Sequence, residues 1–201
     1  MAPRPSLWGI LFSHMTFSHF KSHIELAHRY WQQLVQSGDI VIDATCGNGQ
    51  DTLFLAQLKP AKLFAIDIQE KALTNTKTLL GASDNVIFHH ACHSQFPQEI
   101  LAKSVKLIVY NLGYLPGGDK SLTTQSETTL MSLQKALDLI VPGGAISVTC
   151  YPGHAEGAIE EEKILQWAEN LDRQQWSCCH HRWCNRQKAP SLLVVFHHRD
   201  Y

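Results

Sequence analysis

This chain of 201 residues lacks several features that define other classes of protein. It has no uninterrupted apolar run of about eighteen residues, so we expect no membrane-spanning helix and no membrane partner. Its six cysteines include no Cys-x-x-Cys pair and are irregularly spaced, which predicts reduced, mostly buried thiols in a cytoplasmic protein. Neither sign of charge dominates, with 17 Lys and Arg against 18 Asp and Glu, and this balance excludes a uniformly basic nucleic-acid-coating surface.

The residues that are present can form a hydrophobic core. Hydrophobic residues make up 44% of the chain and charged residues only 17%, unlike the composition of a disordered protein. The length predicts a single domain over residues 1–201, which we divide into an N-terminal helical extension (1–38) and a core (39–201). Histidine is unusually frequent, with twelve copies.

The N-terminal extension has the pattern of an amphipathic helix. Apolar residues recur at spacings of three and four over residues 17–36, with Ser18 as the predicted N-cap and Gly38 as the predicted stop. Four histidines are predicted to flank the apolar face, where they would suit a subunit contact in a homodimer. They are His14, His19, His23 and His28.

Short apolar runs alternate with helical patterns from residue 40 onward. The predicted strands are 40–42, 63–66, 86–88, 105–110, 145–149, 176–183 and 192–196. The predicted helices are 50–58, 70–80, 97–102, 126–140 and 155–170. This alternation indicates an α/β fold with a Rossmann-like, doubly wound, mostly parallel seven-stranded sheet. The last strand should run antiparallel, because residues 184–190 are too few for the crossover that a parallel neighbour needs.

A turn rich in small and acidic residues follows the first predicted strand. Glycines at 47 and 49 allow a sharp turn and the close approach of a ligand. Asp67 ends the second strand eighteen residues after Gly49, where a carboxylate can accept the ribose hydroxyls of an adenosine. Because ligands of an open α/β sheet bind at the carboxyl ends of its strands, this turn predicts a cofactor site.

Two cofactors suit this arrangement, and the acidic residues favour one of them. A dinucleotide site needs a third glycine, where this chain has Thr52, and its pyrophosphate would be repelled by Asp43 and Asp51. S-adenosyl-L-methionine carries no phosphate, and its sulfonium and ammonium groups would be attracted by Asp43, directly or through water. The sequence therefore predicts S-adenosyl-L-methionine.

The segment from Asp43 to Gly49 resembles the acidic-x-x-x-Gly-x-Gly loop of class I S-adenosylmethionine-dependent methyltransferases. The loop after the third strand, 91–94, lacks the acid that often meets adenine in that superfamily, so these contacts would come from the backbone, His93 or Ser94. The cofactor-binding residues that this resemblance implies are Asp43, Thr45, Cys46, Gly47, Asn48, Gly49, Asp51, Asp67, Ile68, Gln69, His93, Ser94, Asn111 and Leu112.

Two further loops follow the fourth and fifth strands. Asn111 and Tyr114 form an Asn-x-x-aromatic pattern that resembles an N-methyltransferase signature, in which the Asn carbonyl accepts a hydrogen from the target amine. The alternative interpretation is a plain turn rich in Gly and Pro. The resemblance to the methyltransferase superfamily implies that the fifth strand adjoins the fourth, so the loop from Tyr151 to His154 is expected beside Asn111. His154 is predicted to take a proton, to position the substrate or to cap the next helix.

The blocks 43–49, 111–120 and 151–154 together resemble a smaller family of bacterial and plastid proteins, labelled as rRNA methylases, over about residues 20–200. That family includes a tRNA methyltransferase acting on 5-aminomethyl-(2-thio)uridine at the wobble position. The resemblance implies the anticodon stem-loop of tRNA as partner. The implied catalytic residues are Asn111, Tyr114, Asp119, Tyr151 and His154. The implied substrate-binding residues are Gly113, Pro116, Gly117, Gly118, Lys120, Pro152, Gly153 and Arg186.

Four other interpretations stay open at this point. The chain could methylate rRNA or a small molecule, it could bind the cofactor without catalysis, or it could be an NAD enzyme. The proton that leaves the amine could pass to Asp119, Tyr151, His154 or water.

The last part of the chain carries a local positive charge. Residues 173–199 contain five Lys and Arg, no acid, and Trp176 and Trp183, a composition that suits an RNA loop but also an ordinary sheet edge. The preceding acids at 160–162 are predicted to form a solvated helix face. We predict no metal site at 178–184, because adjacent Cys and His residues of a strand point to opposite faces.

Overall fold

The structure is a computed structural model that describes residues 22–115, 117 and 123–199. Within those residues the helices are α1 His23–Leu34, α2 Gln50–Gln57, α3 Glu70–Leu80, α4 Ser126–Leu139 and α5 Ala155–Glu169. The strands are β1 Ile40–Asp43, β2 Lys62–Asp67, β3 Val86–His90, β4 Val105–Asn111, β5 Ile140–Cys150, β6 Trp176–His181 and β7 Ser191–His197.

The strands form one seven-stranded sheet in the order β3-β2-β1-β4-β5-β7-β6. Strand β7 is antiparallel to both of its neighbours, and the other pairs are parallel. This confirms the predicted α/β, doubly wound fold with an antiparallel last strand. The order reverses between β1 and β4, where Asp43 pairs with Val109, so a cleft opens at their carboxyl ends.

Helices cover both faces of the sheet because its central strands are apolar on both faces. On one face Val41 packs with Trp31 of α1 and Leu55 of α2. On the other face Ile42, the next residue of β1, packs with Leu133 of α4 and Ile164 of α5. The N-terminal helix therefore shares a core with the sheet.

Two predicted helices differ in the structure. Within the described residues, helix α1 begins at His23, because Ser22 and Glu25 form a reciprocal capping box. The predicted cap Ser18 lies outside the described residues. The predicted helix over 97–102 is wrong. A single turn in which the Ile100 N–H bonds the Pro97 carbonyl takes its place, and Leu101 is exposed, so no continuous apolar face exists for packing.

The acids at the start of α5 do not form the solvated face predicted for 160–162. Glu160 is only 4% exposed, and its carboxylate accepts hydrogen bonds from the hydroxyls of Thr129 (2.6 Å) and Thr124 (2.7 Å). Glu161 is half-buried and accepts a hydrogen bond from the Ser191 hydroxyl. Of the three acids only Glu162 is exposed. Glu160 is buried because it lies on the same face of α5 as the buried residues Ile164 and Ala168.

The cysteines are all unpaired, but the expectation that most are buried is wrong. Cys46 and Cys150 are buried, Cys92 is half-buried, and Cys178, Cys179 and Cys184 are exposed on or after the edge strand β6. None of the helices in the described part of the chain combines the length and apolar character needed to cross a bilayer.

Candidate active site

A cavity of about 1140 Å³ lies at the carboxyl ends of β1, β2, β4 and β5. The predicted site residues that line it are Thr45, Cys46, Gly47, Asn48, Asp51, Asp67, Ile68, Gln69, His93, Asn111, Leu112, Gly113, Tyr114, Tyr151, Gly153 and His154. We call the part formed by the loops after β1, β2 and β3 the cofactor half. We call the part formed by the loops after β4 and β5, with the residues that reach it from elsewhere, the substrate half.

The cofactor half is organised by Asp67. Its Oδ2 accepts the backbone N–H of Gly47 (2.9 Å) and its Oδ1 accepts that of Gln69 (2.8 Å), so one carboxylate joins the loops after β1 and β2. Burial raises the pKa of Asp67, and these backbone hydrogen bonds oppose that rise. The remaining lone pairs face a cavity where a ribose can donate its hydroxyls.

The two loop glycines serve different purposes. Gly47 has a φ of +51° and lines the cavity, so it brings the backbone to the ligand. Gly49 has a φ of +85° and does not line the cavity. A Cβ there would lie 2.9 Å from both Cα and Oγ1 of Thr76, so Gly49 allows α2 and α3 to pack closely.

Asp43 lies beneath the cavity wall. It is completely buried, and its carboxylate accepts hydrogen bonds from the Thr52 hydroxyl (2.6 Å) and the Thr45 N–H (3.3 Å). Burial, with the nearby charge of Asp51, raises its pKa to about 7. Three carboxylates, those of Asp43, Asp51 and Asp67, surround the loop that would have to hold a pyrophosphate in a dinucleotide site. Their negative charge favours a cationic ligand.

The loop after β3 places its two predicted residues differently. His93 lines the cavity, and burial lowers its pKa to about 4, so its ring is neutral at physiological pH. Ser94 is buried and does not line the cavity; its hydroxyl donates to the Cys92 sulfur (3.2 Å). Cys92 lines the cavity instead, although the sequence did not single it out.

Asn111 is held at both its backbone and its side chain. Its N–H donates to the Thr45 hydroxyl (2.7 Å), and its side-chain Nδ2 donates to Asp51 Oδ2 (2.9 Å). Because the amide nitrogen is occupied by a carboxylate, the carbonyl oxygen is the end of the side chain left to accept a hydrogen bond from a ligand.

The Tyr151 ring contacts the same cluster from β5. Its hydroxyl lies 3.3 Å from His23 Nε2. Burial, followed by the charge of Asp51, raises the pKa of Tyr151 to about 12. Tyr151 is therefore a neutral phenol at physiological pH and not a base.

His154 has the capping role that was one of its two predicted roles. It is the N-cap of α5, where its Nδ1 accepts the Gly157 N–H at 3.1 Å. The lone pair of Nδ1 is thus occupied, and the hydrogen of the neutral ring is on Nε2. Gly157 must stay small, because a Cβ there would lie 2.2 Å from the Tyr151 carbonyl oxygen.

The loop between β4 and α4 is tied down at both ends. Gly113 donates its N–H to the Thr124 hydroxyl (3.0 Å) and accepts the Thr124 N–H (3.1 Å). Buried Glu160 holds Thr124 from below. Gly117 is described but does not line the cavity. Four predicted site residues of this loop lie outside the described part: Pro116, Gly118, Asp119 and Lys120.

Several residues of this site were not predicted. His28 of α1 contacts Asp51 (2.9 Å) and His23 contacts Tyr151, so both bind cavity-lining residues of their own chain and give no argument for the predicted subunit contact. Lys188 lines the cavity, whereas the predicted Pro152 and Arg186 do not. Other lining residues that were missed are Ala44, Gln50, Leu115, Thr123, Thr124, Gln125, Thr128 and Glu156.

The late basic segment therefore reaches the cleft. Lys188 faces the cavity, and the Arg186 guanidinium lies 5.3 Å from the centre of the Trp183 ring. Among the described residues, no three His, Cys, Asp or Glu side chains are grouped as a metal ion would need.

Solved structures share this fold. The chain is similar to a "putative rRNA-methylase" from Clostridium thermocellum, with 37% identity, a TM-score of 0.83 and coverage of 89% of this chain and 98% of the other. It is also similar to a "putative methyltransferase" from Streptococcus mutans solved with S-adenosylhomocysteine, with 31% identity, a TM-score of 0.80 and coverage of 88% and 98%. The fold and the acidic cavity thus define an S-adenosylmethionine-dependent methyltransferase.

The family follows from the sequence comparisons. The sequence model described as "Putative rRNA methylase" matches residues 63–197. A chloroplastic tRNA (mnm(5)s(2)U34)-methyltransferase from Arabidopsis thaliana is 38% identical over 190 residues, which cover 88% of this chain and 69% of the relative. The chain belongs to this rRNA-methylase family.

Proposed function

We propose that this enzyme transfers a methyl group to the amine of 5-aminomethyl-(2-thio)uridine at the wobble position of tRNA. The observation that carries the proposal is the Asn111 amide, whose nitrogen is held by Asp51 at 2.9 Å, so that its oxygen can accept a hydrogen from an amine in the cavity. The relative named for mnm(5)s(2)U34, at 38% identity, supports the choice of this amine.

The amine must be neutral when it reacts. S-adenosylmethionine supplies an electrophilic methyl group when bound. A primary alkylamine has a pKa of about 10.4 in water and is therefore protonated at neutral pH. The Asn111 carbonyl and the Tyr151 ring provide an orienting acceptor and a half-buried wall, and burial favours the uncharged amine.

We propose that the protonated amine of the substrate loses its proton to water before it reacts. Tyr151 keeps its proton because its pKa is raised to about 12, and His154 uses its Nδ1 lone pair to cap α5. The neutral amine attacks, the carbon–sulfur bond breaks, and the product is a protonated secondary amine with S-adenosylhomocysteine. The value of kcat/KM should accordingly rise about tenfold per pH unit below the pKa of the free amine.

We propose that the tRNA anticodon stem-loop binds the segment 182–190. Lys188 lines the cavity and Arg186 lies over Trp183, so a phosphate contact and an aromatic surface adjoin the substrate half. Substitution of Lys188 by Gln should raise KM for tRNA about threefold and lower the salt dependence of binding by roughly one charge. Lys62→Gln, at the opposite end of the sheet, is the matched control.

The unpaired thiols favour a reducing compartment, and we propose that the enzyme acts in the cytoplasm.

Mass spectrometry of nucleosides tests the substrate. Purified protein and methyl-labelled S-adenosylmethionine are incubated separately with tRNA, with rRNA and with the free nucleoside. We expect label in aminomethyl-(2-thio)uridine from tRNA. Label only in rRNA or the free nucleoside would replace this proposal by one of the two rival substrates, and cofactor binding without any transfer would identify a binding module.

A further inference from the structure

We propose that His28 of helix α1 is a positioning residue for methyl transfer, because it holds the Asp51 carboxylate that orients the Asn111 amide. This inference rests on the proposed function in assigning the Asn111 carbonyl to the substrate amine. It gives the N-terminal helix a part in the reaction, although that helix precedes the whole cofactor-binding sheet in the chain.

The three residues form a continuous hydrogen-bonded chain. His28 Nε2 lies 2.9 Å from Asp51 Oδ1, and Asn111 Nδ2 lies 2.9 Å from Asp51 Oδ2. Since a carboxylate can only accept, both nitrogens donate to it, and each of its oxygens has one hydrogen-bond partner in the part of the chain that the structure describes. Side-chain exposure is 23% for His28 and 13% for Asp51, so water competes weakly for these bonds.

The orientation of the amide depends on this chain. A carboxamide has nearly the same shape in its two flipped orientations, and only its hydrogen-bond partners distinguish them. The Asn111 backbone is fixed by Thr45, but that bond does not select which end of the side chain faces the cavity. A flipped amide would present its NH₂ group to the N–H of the substrate, and two donors cannot pair.

His28 is well suited to hold Asp51 because packing places its ring. The imidazole stacks on Phe54 with a centroid distance of 3.8 Å and an interplanar angle of 14°. It also lies 4.9 Å from the ring of Trp31, which is 3% exposed. Without His28, Asp51 Oδ1 would lose the hydrogen bond that it accepts from the imidazole, and the carboxylate could rotate away from Asn111.

Two substitutions separate the hydrogen bond from the packing. His28→Phe keeps an aromatic ring against Phe54 but removes the donor, whereas His28→Gln keeps an N–H donor at a similar reach. We expect His28→Phe to lower kcat about tenfold, with the Kd for S-adenosylmethionine and the Tm close to wild type. His28→Gln should stay within about threefold of wild type. Equal kcat in wild type and His28→Phe would overturn the inference, and so would parallel losses of kcat, affinity and Tm, which mark a structural role.

A second measurement does not depend on the substrate. In protein labelled with ¹⁵N-asparagine, the side-chain amide signal of Asn111 is identified by its absence in Asn111→Ala. We expect its two protons to be widely separated in wild type and His28→Gln, because one bonds a carboxylate, and to move together in His28→Phe. An unchanged signal in His28→Phe overturns the inference whatever the activity. If the signal collapses but wild type does not methylate tRNA, the proposed function fails and the positioning of Asn111 by His28 stands.

Discussion

The two halves of the cavity are built in different ways. The cofactor half consists of turns that directly follow β1 and β2, and Asp67 joins them through bonds to the backbone of Gly47 and Gln69. The substrate half is assembled from distant parts of the chain. Asp51 contacts His28, which is 23 positions away in the sequence, and Asn111, which is 60 positions away. Tyr151 contacts His23, which is 128 positions away.

This difference separates binding from chemistry. A site made by backbone turns is preformed when the sheet folds, so it can hold a cofactor whatever the substrate half does. A site made by side chains from several elements depends on each of them, and it is where specificity can change without loss of the cofactor. Substitutions in the two halves should therefore affect different constants.

The largest effect should follow the loss of Asn111. Asn111→Ala removes the acceptor for the amine, and we expect kcat to fall by about two to three orders of magnitude, as when one oriented catalytic group is lost. The Kd for S-adenosylmethionine should change by less than about threefold, which isothermal titration calorimetry can measure. A loss of cofactor binding as large as the loss of kcat would show that the halves are not separable.

Asp67→Ala is the converse experiment. It removes the carboxylate that joins two loops and faces the ribose, and it should weaken S-adenosylmethionine binding by about thirtyfold while kcat at saturation falls far less. Asp84→Ala, an exposed carboxylate before β3, is the control and should leave the Kd unchanged. Unaltered affinity in Asp67→Ala would contradict the assignment of the cofactor half.

Glu160 offers a smaller effect in the substrate half. Glu160→Ala leaves the Thr124 and Thr129 hydroxyls without their acceptor and loosens the loop that begins at Gly113. We expect the KM for tRNA to rise about tenfold in steady-state assays, with the Kd for the cofactor preserved. Glu160→Gln, which retains one carbonyl acceptor, should lie between the variant and wild type. A KM that does not move in Glu160→Ala would remove Glu160 from the account of the loop.

The smallest effect concerns pH and the buried Asp43. The pKa of Asp43, about 7, lies above the usual value for an aspartate. The free energy of unfolding of the protein without ligand therefore falls as pH rises through 7. Affinity for S-adenosylmethionine, which has a net positive charge, should rise about fivefold from pH 6 to 7.5 as Asp43 ionises. S-adenosylhomocysteine, which has no net charge, should show a weaker change, and Asp43→Asn should remove the difference. Identical pH profiles for the two ligands would argue against an electrostatic role of Asp43.

The same comparison explains what could be predicted from the sequence. Strand and helix periodicity is local, and it identified the seven strands and five helices of the described residues near their observed positions. It failed at 97–102, where one buried residue, Ile100, is too little for a helix. Gly47 and Asp67 were found because cofactor turns use short-range spacing.

The missed residues of the substrate half depend on long-range packing. His28 flanks the apolar face of α1, and nothing in that periodicity indicates that Asp51 lies opposite it. Glu160 did leave a signal, because it lies four residues before Ile164 and eight before Ala168 on the buried stripe of α5. A charge on such a stripe indicates a buried, hydrogen-bonded carboxylate, and here its partner is the loop above it.

The central claim is that the substrate half presents an amine of tRNA to the methyl donor. A synthetic anticodon stem-loop with one 5-aminomethyluridine at the wobble position can be compared with the same stem-loop carrying unmodified uridine, with the product located by fragment-ion mass spectrometry. We predict one methyl group on the amine nitrogen of the first stem-loop and none on the second. Methylation of the unmodified stem-loop, or none of the aminomethyl form by protein that binds S-adenosylmethionine, would contradict the account.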